Sequence, residues 1–235
     1  MNDHWISRIT LRRDVPAAAL APILLPDEPG ARADLGHRLL WTLFSDADGA
    51  DRFLWREHGS IGLTPGRSHF IALSSTPPND CHGLFRIDSK SFAPQLAPGD
   101  RLGFILRANP VVSRGRDIRN RRGKRHDVVM AALKDVPSGE RASVRQTAIE
   151  TAGRHWLEEQ GARHGFALSD LRPLRIDGYE RLTIPHGNNR PIILARLDFD
   201  GALEISDPAR FTTALHQGFG KAKGFGCGLM LVRRI

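Results

Sequence analysis

The sequence predicts an α+β chain made of two tandem ferredoxin-like (RRM-like) units. Three observations predict it. Short runs of alternating apolar residues recur along the chain between Gly- and Pro-bearing breaks, helical periodicity falls between some of them, and the second half spells β-α-β-β-α-β in order. At 235 residues the chain is long enough for two cores of about a hundred residues each.

The elements follow in turn. Trp5 to Leu11 alternates as a first strand, and the Pro- and Ala-rich stretch from Pro16 to Pro29 reads as an irregular connection. From Ala33 to Phe44, Leu35, Leu39, Leu40 and Leu43 recur at helical spacing. Arg52 to Glu57 and His69 to Ser74 read as strands on either side of a Gly/Pro-bearing turn. After Pro77-Pro78 comes a short strand, Gly83 to Ile87, with room for no more than a short second helix before it. The first unit is thus expected over residues 1–91 and a proline-bearing linker over 92–99, leaving 100–235 for the second unit.

In the second unit Arg101 to Arg107 is the opening strand. Ser143 and Gln146 form a capping box for a helix carrying Ala148, Ile149, Ala152, Trp156 and Leu157 on one side. Strands are expected at Arg172 to Ile184, Pro191 to Phe199 and Ala202 to Ile205, with Asp200-Gly201 as the hairpin turn between the last two. Asp207 followed by Pro208 marks the N-cap of a short helix reaching about His216, and Leu229 to Val232 is the final strand.

Charge points to an anionic partner. The chain carries 34 Lys and Arg against 26 Asp and Glu, for a net charge of +8 and a pI near 10.4. Only five of the basic residues are lysine, an arginine bias that a GC-rich genome can also produce, so clustering weighs more than the total. Clustering is present: Arg114, Arg116, Arg119, Arg121, Arg122, Lys124 and Arg125 crowd into twelve residues beside a single acid, Asp117. A solvated loop explains such a run; a phosphate-contacting loop explains it better, because guanidinium forks match phosphate oxygens. Cys81 and Cys227 provide neither a disulfide framework nor metal-ligand spacing, and the acids are scattered, so no metal or cofactor is expected. The amino terminus lacks an apolar signal core and no apolar run reaches spanning length, which implies a cytoplasmic protein without a membrane partner.

Residues Gly218 to Gly228 alternate glycine with Lys221, Lys223 and aromatic residues before the last strand. A dinucleotide fingerprint needs its glycines after a strand and before a helix, and here the order is reversed; a P-loop needs Ser or Thr after its lysine, which is missing. A glycine C-cap accounts for Gly218 alone. An anion cradle in which Gly218, Gly220 and Gly224 let backbone approach a phosphate, flanked by Lys221 and Lys223, accounts for the pattern as a whole.

Several segments together resemble one family: Ile6 to Leu11, Gly36 to Trp41, Arg52 to Arg56, Leu106 to Pro110, Gly123 to Arg125, and the glycine-lysine loop running into Leu229. In this order they are similar to the CasE subfamily of CRISPR repeat-processing endoribonucleases. The resemblance implies a protein that binds the hairpin of a CRISPR repeat transcript, cuts on the 3′ side of the stem without metal, keeps the mature guide RNA and joins other subunits in Cascade. It also implies a catalytic histidine, which falls on His37. An imidazole suits the task, since attack by a ribose 2′-OH on the adjacent phosphate needs a proton removed and another delivered near neutral pH; base or acid stays open. Where some members have a tyrosine one turn before the histidine, this chain has Asp34, which either tunes the ring or faces water near the helix start. The only tyrosine is Tyr179. The hairpin from Tyr179 to Arg190 matches the region that relatives lay along the RNA stem, with Arg181, His186 and Arg190 as its cations. A non-catalytic RNA-binding subunit is the alternative, and a metal nuclease a third possibility that the scattered acids disfavour.

Overall fold

In the computed structural model the described residues are 4–12, 26–44, 53–58, 69–114, 124–185 and 189–235. Among them lie two antiparallel sheets and a separate two-stranded ribbon. The first sheet contains β1 (His4–Leu11), β2 (Leu54–His58), β3 (His69–Ser74) and β4 (Phe85–Phe92) in the order β2-β3-β1-β4. Helix α1 (Pro29–Trp41) connects β1 to β2. This is the ferredoxin-like strand order with one helix: the connection from Ser75 to Leu84 holds turns and bends only, as Pro77-Pro78 leads one to expect. Ile9, Leu40, Leu43, Phe44, Phe53, Trp55 and Phe70 form its core.

Helix α1 begins four residues before the expected start. Glu28 accepts hydrogen bonds from the Gly30 and Ala31 amides and Pro29 sits in the first turn, so sequence periodicity alone placed the boundary late. Thr42 caps the other end through Oγ1 to the Leu39 carbonyl, 2.7 Å, and Leu43 and Phe44 enter the core just beyond it.

The second sheet runs β11-β5-β10-β8, with β9 also on β10. Its strands are β5 (Arg101–Ala108), β8 (Phe166–Ser169), β9 (Arg175–Ile184), β10 (Ile192–Ile205) and β11 (Met230–Arg234). A ribbon of β6 (Val111–Arg114) and β7 (Lys124–Asp127) leads to a short helix α2 (Val128–Ala132) and the 24-residue α3 (Arg141–His164). Helix α4 (Pro208–Gln217) precedes the glycine loop. Trp156, Leu157, Phe166, Leu197, Phe199, Phe211 and Phe219 fill the core beneath the helices.

Three local expectations are corrected. Asp200-Gly201 is no turn: β10 runs through it, with Asp200 opposite both Ile105 and Arg175 and Gly201 opposite Phe104. Both edges of the strand are paired there, which holds it straight; a Cβ on Gly201 would press on Leu174 and Phe104 at 3.1 and 3.3 Å. The capping box is absent as well. Helix α3 starts at Arg141 after a turn closed from Glu140 N–H to the Pro137 carbonyl, so Ser143 already lies inside it and donates back to the Glu140 carbonyl, while Gln146 pairs with Glu150. Finally, the strand expected from Arg172 begins at Arg175, after the turn at Asp170–Leu174, and a strand the sequence reading does not expect, Phe166–Ser169, pairs with Ala202–Ile205.

Two apolar contacts join the sheets. Leu54, Leu73, Ile6 and Ile71 of the first pack on Leu231 of the second and on Leu229 just before β11. Ala33 of α1 packs on Leu182, Ile184 and Leu194 of the β9–β10 hairpin, together with Ala222 and Phe225 of the glycine loop. Helix α1 is therefore held from both sides. Among the described residues no helix is long and apolar enough to cross a membrane.

Candidate active site between the two sheets

His37 lies on α1 where the helix meets the glycine loop. A Cβ on Gly224 would stand 3.5 Å from both Cε1 and Nε2 of the imidazole, so the loop backbone lies against the ring. Phe53 and Phe225 flank it with ring centroids 5.9 and 6.5 Å away. Trp41, one turn further along α1, donates from Nε1 to His37 Nε2 at 2.7 Å. Nδ1 is buried without a hydrogen-bond partner. Burial holds the ring below the ordinary imidazole range, and the Asp34 carboxylate pulls weakly the other way. The ring is thus neutral at pH 7, with its lone pair on Nε2. Asp34 makes an ion pair with Arg38 at 3.8 Å, the i,i+4 arrangement of a solvated helix face.

Trp55 on β2 sets the loop against the helix. Its indole lies against Gly36 of α1, where a Cβ would come to 2.9 Å from Cη2, and against Gly226 of the loop, where one would come to 3.3 Å. Its Nε1 donates to the Gly224 carbonyl at 3.3 Å. Gly226 also has φ 76°, a left-handed conformation that L side chains rarely adopt. The glycine spacing thus differs from the expected cradle. Gly218 caps α4 and abuts Leu54, Gly220 lies against Trp156 and the Asn109 carbonyl, and Gly224 is the one of the three that faces His37. Lys223 is not the mobile cation expected: its Nζ donates to the Gln217 carbonyl at the carboxyl end of α4, where the helix dipole favours a cation. Lys221 is exposed and its backbone bridges Asn109, anchoring the loop two residues before the β6–β7 ribbon begins.

The basic run falls partly outside the described residues: Arg116, Arg119, Arg121 and Arg122 lie there, and Arg114 and Lys124 are placed only as the last residue of β6 and the first of β7. Arg125 is exposed on β7. Close by, Tyr179 donates to Asp127 at 2.7 Å, and Arg145 of α3 lies over the Tyr179 ring at 5.2 Å. That contact ties the end of the ribbon to β9, where Arg181 is exposed; Arg190 is exposed just before β10, and His186 lies outside the described residues. Arg145 was not among the sequence candidates, nor were Trp41 and Trp55. The two tryptophans fall inside the quoted segments Gly36–Trp41 and Arg52–Arg56, but nothing in the spacing says that their N–H groups reach His37 and Gly224.

A polar cluster sits beside the site. Arg107 forks onto Asp198 through Nε and Nη2 at 2.9 and 2.8 Å, and Arg56 of β2 reaches the same carboxylate at 3.9 Å. Arg56 is 7 % exposed with Nε and Nη1 unpartnered, and burial beside Arg107 lowers its pKa to about 10. Cys227 is buried next to this group and burial pushes its thiol up to about 12, so it is an inert packing residue. Among the described residues, no group of three or more His, Cys, Asp or Glu side chains is placed to hold a metal ion.

The sequence profile of a family described as "CRISPR associated protein" matches residues 4–234, nearly the full length. The chain belongs to this family. It is 29% identical over 229 residues to the CRISPR-associated endoribonuclease Cse3 of Thermus thermophilus, covering 89% of this chain and 96% of that protein. It is 27% identical over 195 residues to the CRISPR system Cascade subunit CasE of Escherichia coli, covering 83% and 88%. The solved structure of CRISPR endoribonuclease Cse3 bound to a 19-nucleotide RNA superposes with a TM-score of 0.69 at 26% identity, covering 98% of this chain and 99% of that one. The CasE resemblance read from the sequence motifs and the tandem ferredoxin-like architecture are both borne out within the CRISPR-associated family.

Proposed function

We propose that the chain is a metal-independent endoribonuclease that binds the stem-loop of CRISPR repeat precursor RNA, cuts on the 3′ side of the stem, and stays on the guide RNA as a cytoplasmic Cascade subunit. One observation carries the catalytic part. A loop from residues 218–228 closes over a neutral imidazole on a helix near the opposite end of the chain, and Gly224 leaves room beside the ring's lone pair. The names of the Cse3 and CasE relatives, matched over 83–89% of this chain, support the substrate class.

The chemistry follows. His37 Nε2 accepts the proton of the ribose 2′-OH, the oxygen attacks the adjacent phosphorus, and the bond to the 5′ oxygen breaks as that oxygen takes a proton from solvent water. The products are a 2′,3′-cyclic phosphate and a 5′-OH. Such proton transfer contributes about 10²–10⁴ in rate. Lys221 and the loop amides offer positive charge to the phosphorane. The stem lies along the exposed cations Arg125, Arg145, Arg181 and Arg190 together with the basic run. The division into 1–91, linker 92–99 and 100–235 places His37 in the first unit and these cations in the second. The test is a repeat hairpin incubated with protein in EDTA. Fragments with those ends support the proposal; tight binding without cutting supports the non-catalytic reading.

A further inference from the structure

The hydrogen bond from Trp41 to His37 has chemical consequences that the proposed reaction does not by itself require. An indole N–H can only donate, so the nitrogen it meets at 2.7 Å, Nε2, must carry a lone pair. The single proton of the neutral ring is then on Nδ1, which is buried and unpartnered. Protonating Nε2 would set two N–H groups against each other at that separation. The indole is held in place to do this: it packs edge-on against Phe53 at 5.4 Å, and Phe53 stacks on Phe44 at 4.5 Å within the first core.

Resting on the reading of His37 as the general base, we propose that Trp41 is a positioning residue that fixes the His37 tautomer and keeps its Nε2 lone pair unprotonated until RNA arrives. The Gly224 backbone, with no Cβ to fill the space 3.5 Å from Nε2, leaves the approach by which a 2′-hydroxyl replaces the indole as donor to that nitrogen. The exchange trades one hydrogen bond for another and delivers the hydroxyl to a ring already in its basic form.

The charged surroundings do not supply the same effect. Asp34 and Arg38 on α1 pair with each other. The glycine loop brings Lys221, exposed, and Lys223, tied to Gln217. Phe53 and Trp55 on the β2 side are uncharged, and β9 presents Leu182 and the Thr183 backbone to the helix. Of these groups Asp34 acts on the ring, in the direction of protonation.

The experiment uses ¹⁵N-histidine-labelled full-length protein, with the His37 signals identified as those lost in His37→Ala. Wild-type protein is expected to show a bare Nε2 and a protonated Nδ1. Trp41→Phe, which keeps an aromatic ring on Phe53, is expected to shift the ring toward the Nε2–H form. It also moves the acid limb of the single-turnover pH–rate profile to higher pH, so that cleavage on that limb falls about two- to tenfold, the value of one net hydrogen bond. A protonated Nε2 in the wild type overturns the proposal whether or not the variant folds. A changed tautomer with an unmoved pH profile overturns the positioning role and leaves only a packing contact. Continued cutting by His37→Ala overturns the base reading instead, and the wild-type nitrogen spectrum still reports the contact independently.

Discussion

Gly30→Ala tests the placement of α1 at a point far from the chemistry. Gly30 lies in the first turn of α1 against β9 of the other sheet, and a Cβ there would stand 2.9 Å from the Thr183 carbonyl carbon and closer still to its oxygen. Comfortable separation is about 3.5 Å or more, so helix and strand must part by roughly half an ångström or more. The obstacle is backbone on both sides, so no rotamer relieves it. Overpacking of this kind costs about 1–3 kcal/mol, and alanine's higher helix propensity returns at most about 1 kcal/mol, less in a first turn. The net loss of about 1–2 kcal/mol corresponds to a Tm lower by about 2–8 °C for a chain of this size. Because His37 is two turns along the same helix, a shift approaching 1 Å carries the ring from its place, and single-turnover cleavage falls by up to about 10²-fold. Calorimetry and hairpin cleavage under saturating protein measure the two effects. A variant that melts and cuts like wild type would refute the close seating of α1 on β9.

Other perturbations separate the remaining parts of the account. Asp198→Asn leaves Arg107 and Arg56 facing each other without their shared carboxylate, and should cost about 2–3 kcal/mol in urea unfolding, discounted from a fully buried pair because the carboxylate is partly exposed; an unchanged midpoint would show the cluster to be inert. Arg56→Met removes a buried, poorly paired cation and should leave stability equal or higher, whereas a loss above about 2 kcal/mol would show that its one long contact to Asp198 outweighs the unpartnered Nε and Nη1. Burial lowers the pKa of His37, His58, His164 and His216 below the ordinary value, so the unfolded chain binds protons that the native one does not. Stability from this source is full above about pH 6.5 and declines as pH falls through that value toward the lower native ones, and urea melts at several pH values that stay flat would contradict it. Joint replacement of Arg119, Arg121 and Arg122 by Ala should weaken hairpin binding and flatten the log–log salt slope by about one unit per lost phosphate contact; an unchanged slope makes that run a bystander.

Much of the architecture was readable in the residues, and the reasons for the misses are specific. Strands β1, β3 and β5 announced themselves because one face is buried and alternation survives, and α4 did so through Asp207-Pro208. Asp200-Gly201 is a turn dipeptide in composition only: β5 and β9 pair with both edges of β10, and that tertiary pairing overrides local turn preference. His37 and its helix were legible in the sequence, and the assembly of the loop around the ring was not. The glycine spacing suggested an anion cradle, whereas Gly218, Gly220 and Gly226 lie against Leu54, Trp156 and Trp55. Such contacts join residues from 64 to 171 positions apart, which no local pattern encodes. Trp41 is the nearest miss. It is four residues from His37 at helical spacing, yet an apolar residue there reads as core until its N–H is seen to meet a nitrogen.

The most direct test of the account is to mix purified protein with a repeat hairpin in excess EDTA and compare wild type with His37→Ala. The account predicts rapid cutting by wild type to a 2′,3′-cyclic phosphate and a 5′-OH, and no cutting by His37→Ala, with hairpin affinity kept within a few-fold. Cutting that persists without the imidazole, or that returns only when magnesium is restored, would contradict it.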